Sequence, residues 1–143
     1  MCGGAEYIEP SGKAWKVFFP SPKAALPIKN ADGSIDWVKW GVRREEPSNG
    51  FIKTGWARIE TVEKGSWDKY EPQLVPLAVQ SFMEKDAARK SHWIAVPPGI
   101  AVQGLVAHWE GQRLLYVVTE ATPEEYSWVH DRWPRLVPVQ AGM

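Results

Sequence analysis

The sequence predicts a strand-rich α+β domain: a mixed or antiparallel, barrel-like sheet, one helix near mid-chain and a short helix near the C-terminus. Three observations predict it. Short apolar–polar alternations recur along the chain, separated by Gly, Pro and Asn turn signals. Gln73 to Lys90 instead places Leu74, Leu77, Ala78 and Phe82 on one helical face. Thr122-Pro123-Glu124-Glu125 has a capping residue, a first-turn proline and an acid three positions after the cap, the opening of a helix. At 143 residues, 44% apolar and 24% charged, the chain has the length and composition of one globular domain, residues 1–143.

Taken in order, Ala14 to Phe19 alternates as a strand and stops at Pro20-Ser21-Pro22. Ala24 to Ile28 reads as a second strand, with Pro27 near an edge or end. Asn30-Ala31-Asp32-Gly33 turns the chain into a third, Ile35 to Trp40. Arg43 to Gly50 is a polar loop whose two arginines could reach phosphate. Trp56 to Val62 alternates again, pointing Trp56, Arg58 and Glu60 one way. In the Gln73–Lys90 helix, Pro76 suits the first turn and Lys85, Arg89 and Lys90 suit the end. Strands follow at Trp93 to Val96, Ile100 to Val106 and Arg113 to Thr119, then the capped helix through Val129 and a last strand, Leu136 to Val139. There is no internal repeat and no linker.

Charge and cysteine content narrow the function. Formal net charge is zero, so no global field draws the protein to nucleic acid or membrane, and any such contact must be local. One cysteine excludes an internal disulfide and a cysteine-rich zinc site, and fits a reducing cytoplasm. The N-terminus lacks the basic and apolar segments of a signal peptide, and no apolar run is long enough to span a bilayer. A cytoplasmic monomer is the expectation. His92, His108 and His130 share no ligand spacing on one element, so no metal site is expected. Nine tryptophans are suited mainly to packing, with one or two free to stack on bases.

The single cysteine, Cys2, directly follows the initiator methionine. Trimming of Met1 would leave an α-amine and a thiol on adjacent carbons, both partly nucleophilic near neutral pH. Such a 1,2-aminothiol condenses with an aldehyde to an imine, and the thiol closes a thiazolidine ring. A small residue at a frayed terminus is the plainer reading.

Four separated pieces decide between them. Met1-Cys2-Gly3, Trp40-Gly41, Ala57-Arg58-Ile59-Glu60-Thr61-Val62, and Val118-Thr119-Glu120-Ala121 leading to His130-Asp131-Arg132-Trp133-Pro134 together resemble the SOS-response-associated peptidase family. These proteins shield abasic sites in single-stranded DNA. The resemblance implies that Cys2, followed by Gly3, attacks the open-chain aldehyde of an abasic site and that His130, beside Asp131, shuttles protons. It implies phosphate contacts from Arg58 and Arg132, a hydrogen bond from Thr119 near the sugar, and Glu60 orienting Arg58. Trp40 and Trp56 join the DNA-facing set, with packing the other role open to Trp40. The implied partner is abasic single-stranded DNA, without cofactor or metal.

The sequence also departs from the family. Gly4 stands where an arginine is common, and Trp56 where an asparagine precedes Ala-Arg. Pro97-Pro98-Gly99 runs into Ile100-Ala101-Val102-Gln103 without the glutamate of the family's Gly-aromatic-aromatic-Glu-Trp hairpin. The expectation is therefore a site with nucleophile, histidine and arginine but no catalytic carboxylate. Two alternatives stay open: a DNA-binding relic of the fold without chemistry, and a thiol peptidase that removes its own leader.

Overall fold

The computed structural model of the chain describes residues 3–139. Gly4–Ile8 (β1) pairs with Ala14–Phe18 (β2), as a hairpin, and with Ser81–Lys85 (β7), which in turn pairs with Ser91–Ala95 (β8). These make a four-stranded antiparallel sheet in the order β2-β1-β7-β8. The larger sheet runs Arg132–Pro134 (β11), Gln112–Ala121 (β10), Ile100–Trp109 (β9), Gln73–Leu77 (β6), Ala25–Lys29 (β3) and Ile35–Lys39 (β4). Leu136–Pro138 (β12) also pairs with β9, and Trp56–Arg58 (β5) lies parallel beside β10. A short helix, Ile59–Glu63 (α1), continues directly from β5.

Strand β10 is the centre of this arrangement, and its composition explains why. Leu115 and Val117 face a core shared with the small sheet, where Ala5, Phe82, Trp40 and Trp133 pack. Leu114, Tyr116 and Val118 face a second core made with Phe51, Ala57, Ile59, Trp67 and Tyr70. A strand covered on both faces reads as a continuous apolar run rather than an alternation. Tyr116 is fully buried and donates its hydroxyl to Ile52 O at 2.8 Å. Burial pushes its phenol up, beyond any ordinary titration range.

The predicted class holds: a strand-rich single domain with a helix before mid-chain. Its helices are placed differently. Gln73–Lys90 is not a helix but two strands, β6 and β7, belonging to different sheets. Phe82, Met83 and Glu84 are all buried, a continuous run along a strand that the Leu74, Leu77, Ala78 and Phe82 spacing concealed. Pro76 is tolerated because β6 meets β3 only at Ile28–Leu77. The alternation from Trp56 to Val62 stops at Arg58, where α1 begins. The segment after Thr122 forms only a 3-10 turn, Glu124–Tyr126, with no side-chain cap. The large sheet is also not closed into a barrel. A single bridge, Trp40 to Leu115, carries the end of β4 back to β10.

That bridge explains Trp40-Gly41. Gly41 has φ +55°, and a Cβ there would lie 2.2 Å from Thr54 O, so only glycine fits. Its N–H bonds Leu115 O at 2.8 Å, and Val42 N–H bonds Thr54 O at 3.0 Å.

Candidate functional site

Cys2, the expected nucleophile, lies outside the described residues. Gly3 donates its N–H to Met83 O at 2.9 Å and accepts from Phe19 N–H at 3.1 Å, so it is held between β7 and the end of β2. A cleft of about 600 Å³ opens here, lined by Gly3, Phe19, Trp56, Met83, Lys85 and His130 among others. The two ends of the proposed motif order, Gly3 and His130, thus share one cavity although 127 positions separate them.

His130 follows the 3-10 turn, and its Nδ1 accepts the Arg132 N–H at 3.1 Å. Asp131 Oδ1 lies 3.0 Å from the same nitrogen, but its side chain is 88% exposed and its charge well screened. Burial holds His130 below its ordinary value, favouring a neutral ring at pH 7. With Nδ1 accepting, the neutral ring carries its proton on Nε2.

Behind Gly3 stands a residue the sequence reading missed. Glu84, on β7, is fully buried, and burial pushes its carboxyl up to about 7. β7 and β1 pair at Gly4–Met83, and Gly3 bonds Met83 O, so Glu84 sits one residue along the strand that holds the chain's start. Ile100 to Gln103 carries no carboxylate, and the buried acid of raised pKa is the neighbour of Met83, which lines the cleft. Nothing in the local pattern of Ser81-Phe82-Met83-Glu84 marks the acid as part of a site. The helical reading of Gln73–Lys90 hid its strand.

Arg58, Thr119 and Arg132 also converge. Arg58 pairs with Thr119 across β5 and β10, and Thr119 pairs with Pro134 across β10 and β11. Their roles differ from those expected. Arg132 is buried and makes a bidentate pair with Glu60, at 3.0 and 2.9 Å, and donates to Thr119 O at 2.9 Å and Oγ1 at 3.2 Å. Glu60 therefore orients Arg132 rather than Arg58, because α1 turns its side chain away from the strand alternation. The Arg132 hydrogen bonds, with the nearby Arg58 charge, bring Glu60 down to about 2. Thr119, 1% exposed, engages Arg132 and is out of reach of a sugar. Arg58 is exposed; its carbonyl accepts from the Thr61 hydroxyl at 2.8 Å, while its guanidinium has no hydrogen bond or ion pair to a described residue.

The tryptophans divide similarly. Trp40 is fully buried, donates Nε1–H to Gly55 O at 2.9 Å and packs edge-on against Phe19 and Trp56, so it is core and not a DNA contact. Trp56 is half-buried, lies 4.7 Å from the Phe19 ring and lines the cleft. Arg43 is buried, its guanidinium bound to Ser21 O, Trp40 O and Glu46 and lying over the Phe19 ring, which removes it as a phosphate contact. No protein-family model matches the sequence, and no curated protein is significantly similar to it.

Proposed function

We propose that the protein captures abasic sites in single-stranded DNA through a covalent bond to Cys2, formed once Met1 has been removed. The observation that carries this reading is the shared cleft, in which the residue after Cys2 lies with His130 and with Met83, the strand neighbour of buried Glu84.

The reaction asks for little beyond proton transfer. The α-amine of Cys2 adds to the open-chain aldehyde of the sugar, giving a carbinolamine. A proton to its hydroxyl releases water and leaves an imine, which the Cys2 sulfur attacks to close the thiazolidine ring. Aldehyde and aminothiol become thiazolidine and one water, without oxidant or metal. An acid with a pKa near 7 can give and take a proton at operating pH, the condition for efficient general acid–base catalysis. Glu84 is assigned to the dehydration step. Neutral His130 is assigned to proton transfer at the sugar oxygen, where ring opening exposes the aldehyde. Arg58 supplies the phosphate contact, and Arg132 positions His130 through its backbone N–H while tying β11 to α1.

A second reading has its own support. Thr119 and Arg132 are committed to internal hydrogen bonds, and an indole at Trp56 stands where an amide was expected, an arrangement that suits a non-covalent single-strand binder. A denaturing gel separates the two. Protein with a free Cys2 terminus, incubated with an oligonucleotide bearing one abasic site, should give a shifted band that Cys2→Ala abolishes. A band equally strong in Cys2→Ala would sink the assignment of the nucleophile. Reversible binding with no band would favour the second reading.

A further inference from the structure

We propose that the outer face of the four-stranded sheet, where Phe18 and Trp93 meet across Gly4, is a base-stacking subsite for single-stranded DNA adjoining the cleft. The inference deepens the reading above and rests on it. Pairing registers place Phe18, Gly4, Met83 and Trp93 in one row across β2, β1, β7 and β8. Residues in such a row project from the same face. Gly4 contributes no side chain, and Phe18 occupies the space: a Cβ at Gly4 would lie 3.0 Å from its ring. The Phe18 and Trp93 rings meet edge to face with centroids 6.0 Å apart. They stay 42% and 38% exposed.

The surroundings identify the occupant. Lys16, on the same face two residues from Phe18, holds its ammonium 5.1 Å from the Trp93 ring centroid. Lys85, two residues from Met83 on β7, lines the cleft together with Phe18 and Met83, so shelf and cleft are continuous. An apolar shelf with Lys16 and Lys85 beside it, Glu6 facing Lys16 across β1 and β2 and Asp86 at the cleft, suits a ligand of flat rings joined by anions, which is single-stranded nucleic acid. An apolar protein surface would cover the Lys85 ammonium without adding a counter-charge.

Anisotropy of a labelled, undamaged single-stranded oligonucleotide tests the shelf without involving any aldehyde. Trp93→Ala and Phe18→Ala are each expected to weaken binding about tenfold, as loss of a stacked base does. Trp93→Phe should keep most of the affinity. Unchanged affinity in a Trp93→Ala protein with wild-type melting overturns the proposal, as does undetectable binding by the wild type. Should Trp93→Ala melt early, Lys16→Glu carries the test, and normal binding by that variant overturns the proposal equally. Sedimentation of the wild type as a dimer that Trp93→Ala dissociates would assign the face to a second copy instead. The two readings fail separately. Shelf-dependent binding without a crosslink removes the chemistry and keeps the shelf, whereas crosslinking with normal binding by the shelf variants removes only the shelf.

Discussion

Single side chains carry the proposed chemistry, and Glu84 is the one whose behaviour is most specific. Its carboxyl, ordinarily at 4.5, is raised to about 7 by burial. The folded protein therefore holds a proton there that the unfolded chain has released between those values. Stability from this group is complete below the ordinary value and is lost as pH rises through about 7. Between about pH 5 and about pH 8 the wild type should lose ~2–3 kcal/mol more stability in urea titrations than Glu84→Gln does. An equal slope in both proteins would show that Glu84 is ionised in the fold. Its proposed role predicts that Glu84→Gln also slows crosslinking at neutral pH by about 100-fold or more. A rate within about threefold of wild type would remove Glu84 from the mechanism. Arg132 makes a different prediction, because it joins α1, β10 and β11 through a bidentate pair and two further bonds. Arg132→Ala should cost about 2–3 kcal/mol in urea unfolding. Arg58→Ala, at an exposed position, should cost under about 0.5 kcal/mol and act on DNA affinity instead. Comparable destabilisation by both would contradict the division of roles between the two arginines.

At the scale of elements, local alternation identified β2, β3, β4, β8, β9 and β10 within a few residues of where they lie. The site was legible as an order of motifs and not as an arrangement. Arg58 and Thr119 meet because β5 runs parallel to β10, a pairing that no local pattern announces. The same limit concealed β7. Its hydrogen-bonding partner β1 is more than 70 residues away, and Phe82 falls by coincidence on the helical face of Leu74 and Ala78. Trp40-Gly41 was legible as a motif, whereas its cause, a left-handed turn pressed against Thr54, is tertiary. Gly41→Ala should therefore destabilise by about 2 kcal/mol or more, since it combines a positive φ with a backbone clash. A change within about 0.5 kcal/mol in melting experiments would mean that the Trp40–Leu115 bridge is not needed to hold β4 against β10.

Across the whole molecule, zero net charge sets how the proposed DNA ligand would be held. With Lys85 the cation that lines the cleft, and Arg58 and Lys16 the further phosphate contacts proposed, the dependence of log affinity on log salt should be shallow, about −2. Arg58→Ala should flatten it by about 0.7. The fold contributes rigidity: one core is shared by both sheets, and the small sheet holds Gly3 while the ends of the large sheet hold His130 and Arg132. A covalent bond to Cys2 is the central claim, and intact mass tests it most directly. Protein of verified Cys2 terminus, incubated with abasic single-stranded DNA, should yield one species at the summed mass of both less one water. Digestion should place the adduct on the N-terminal peptide. Unmodified masses after incubation, or an adduct on a lysine elsewhere in the chain, would contradict the account.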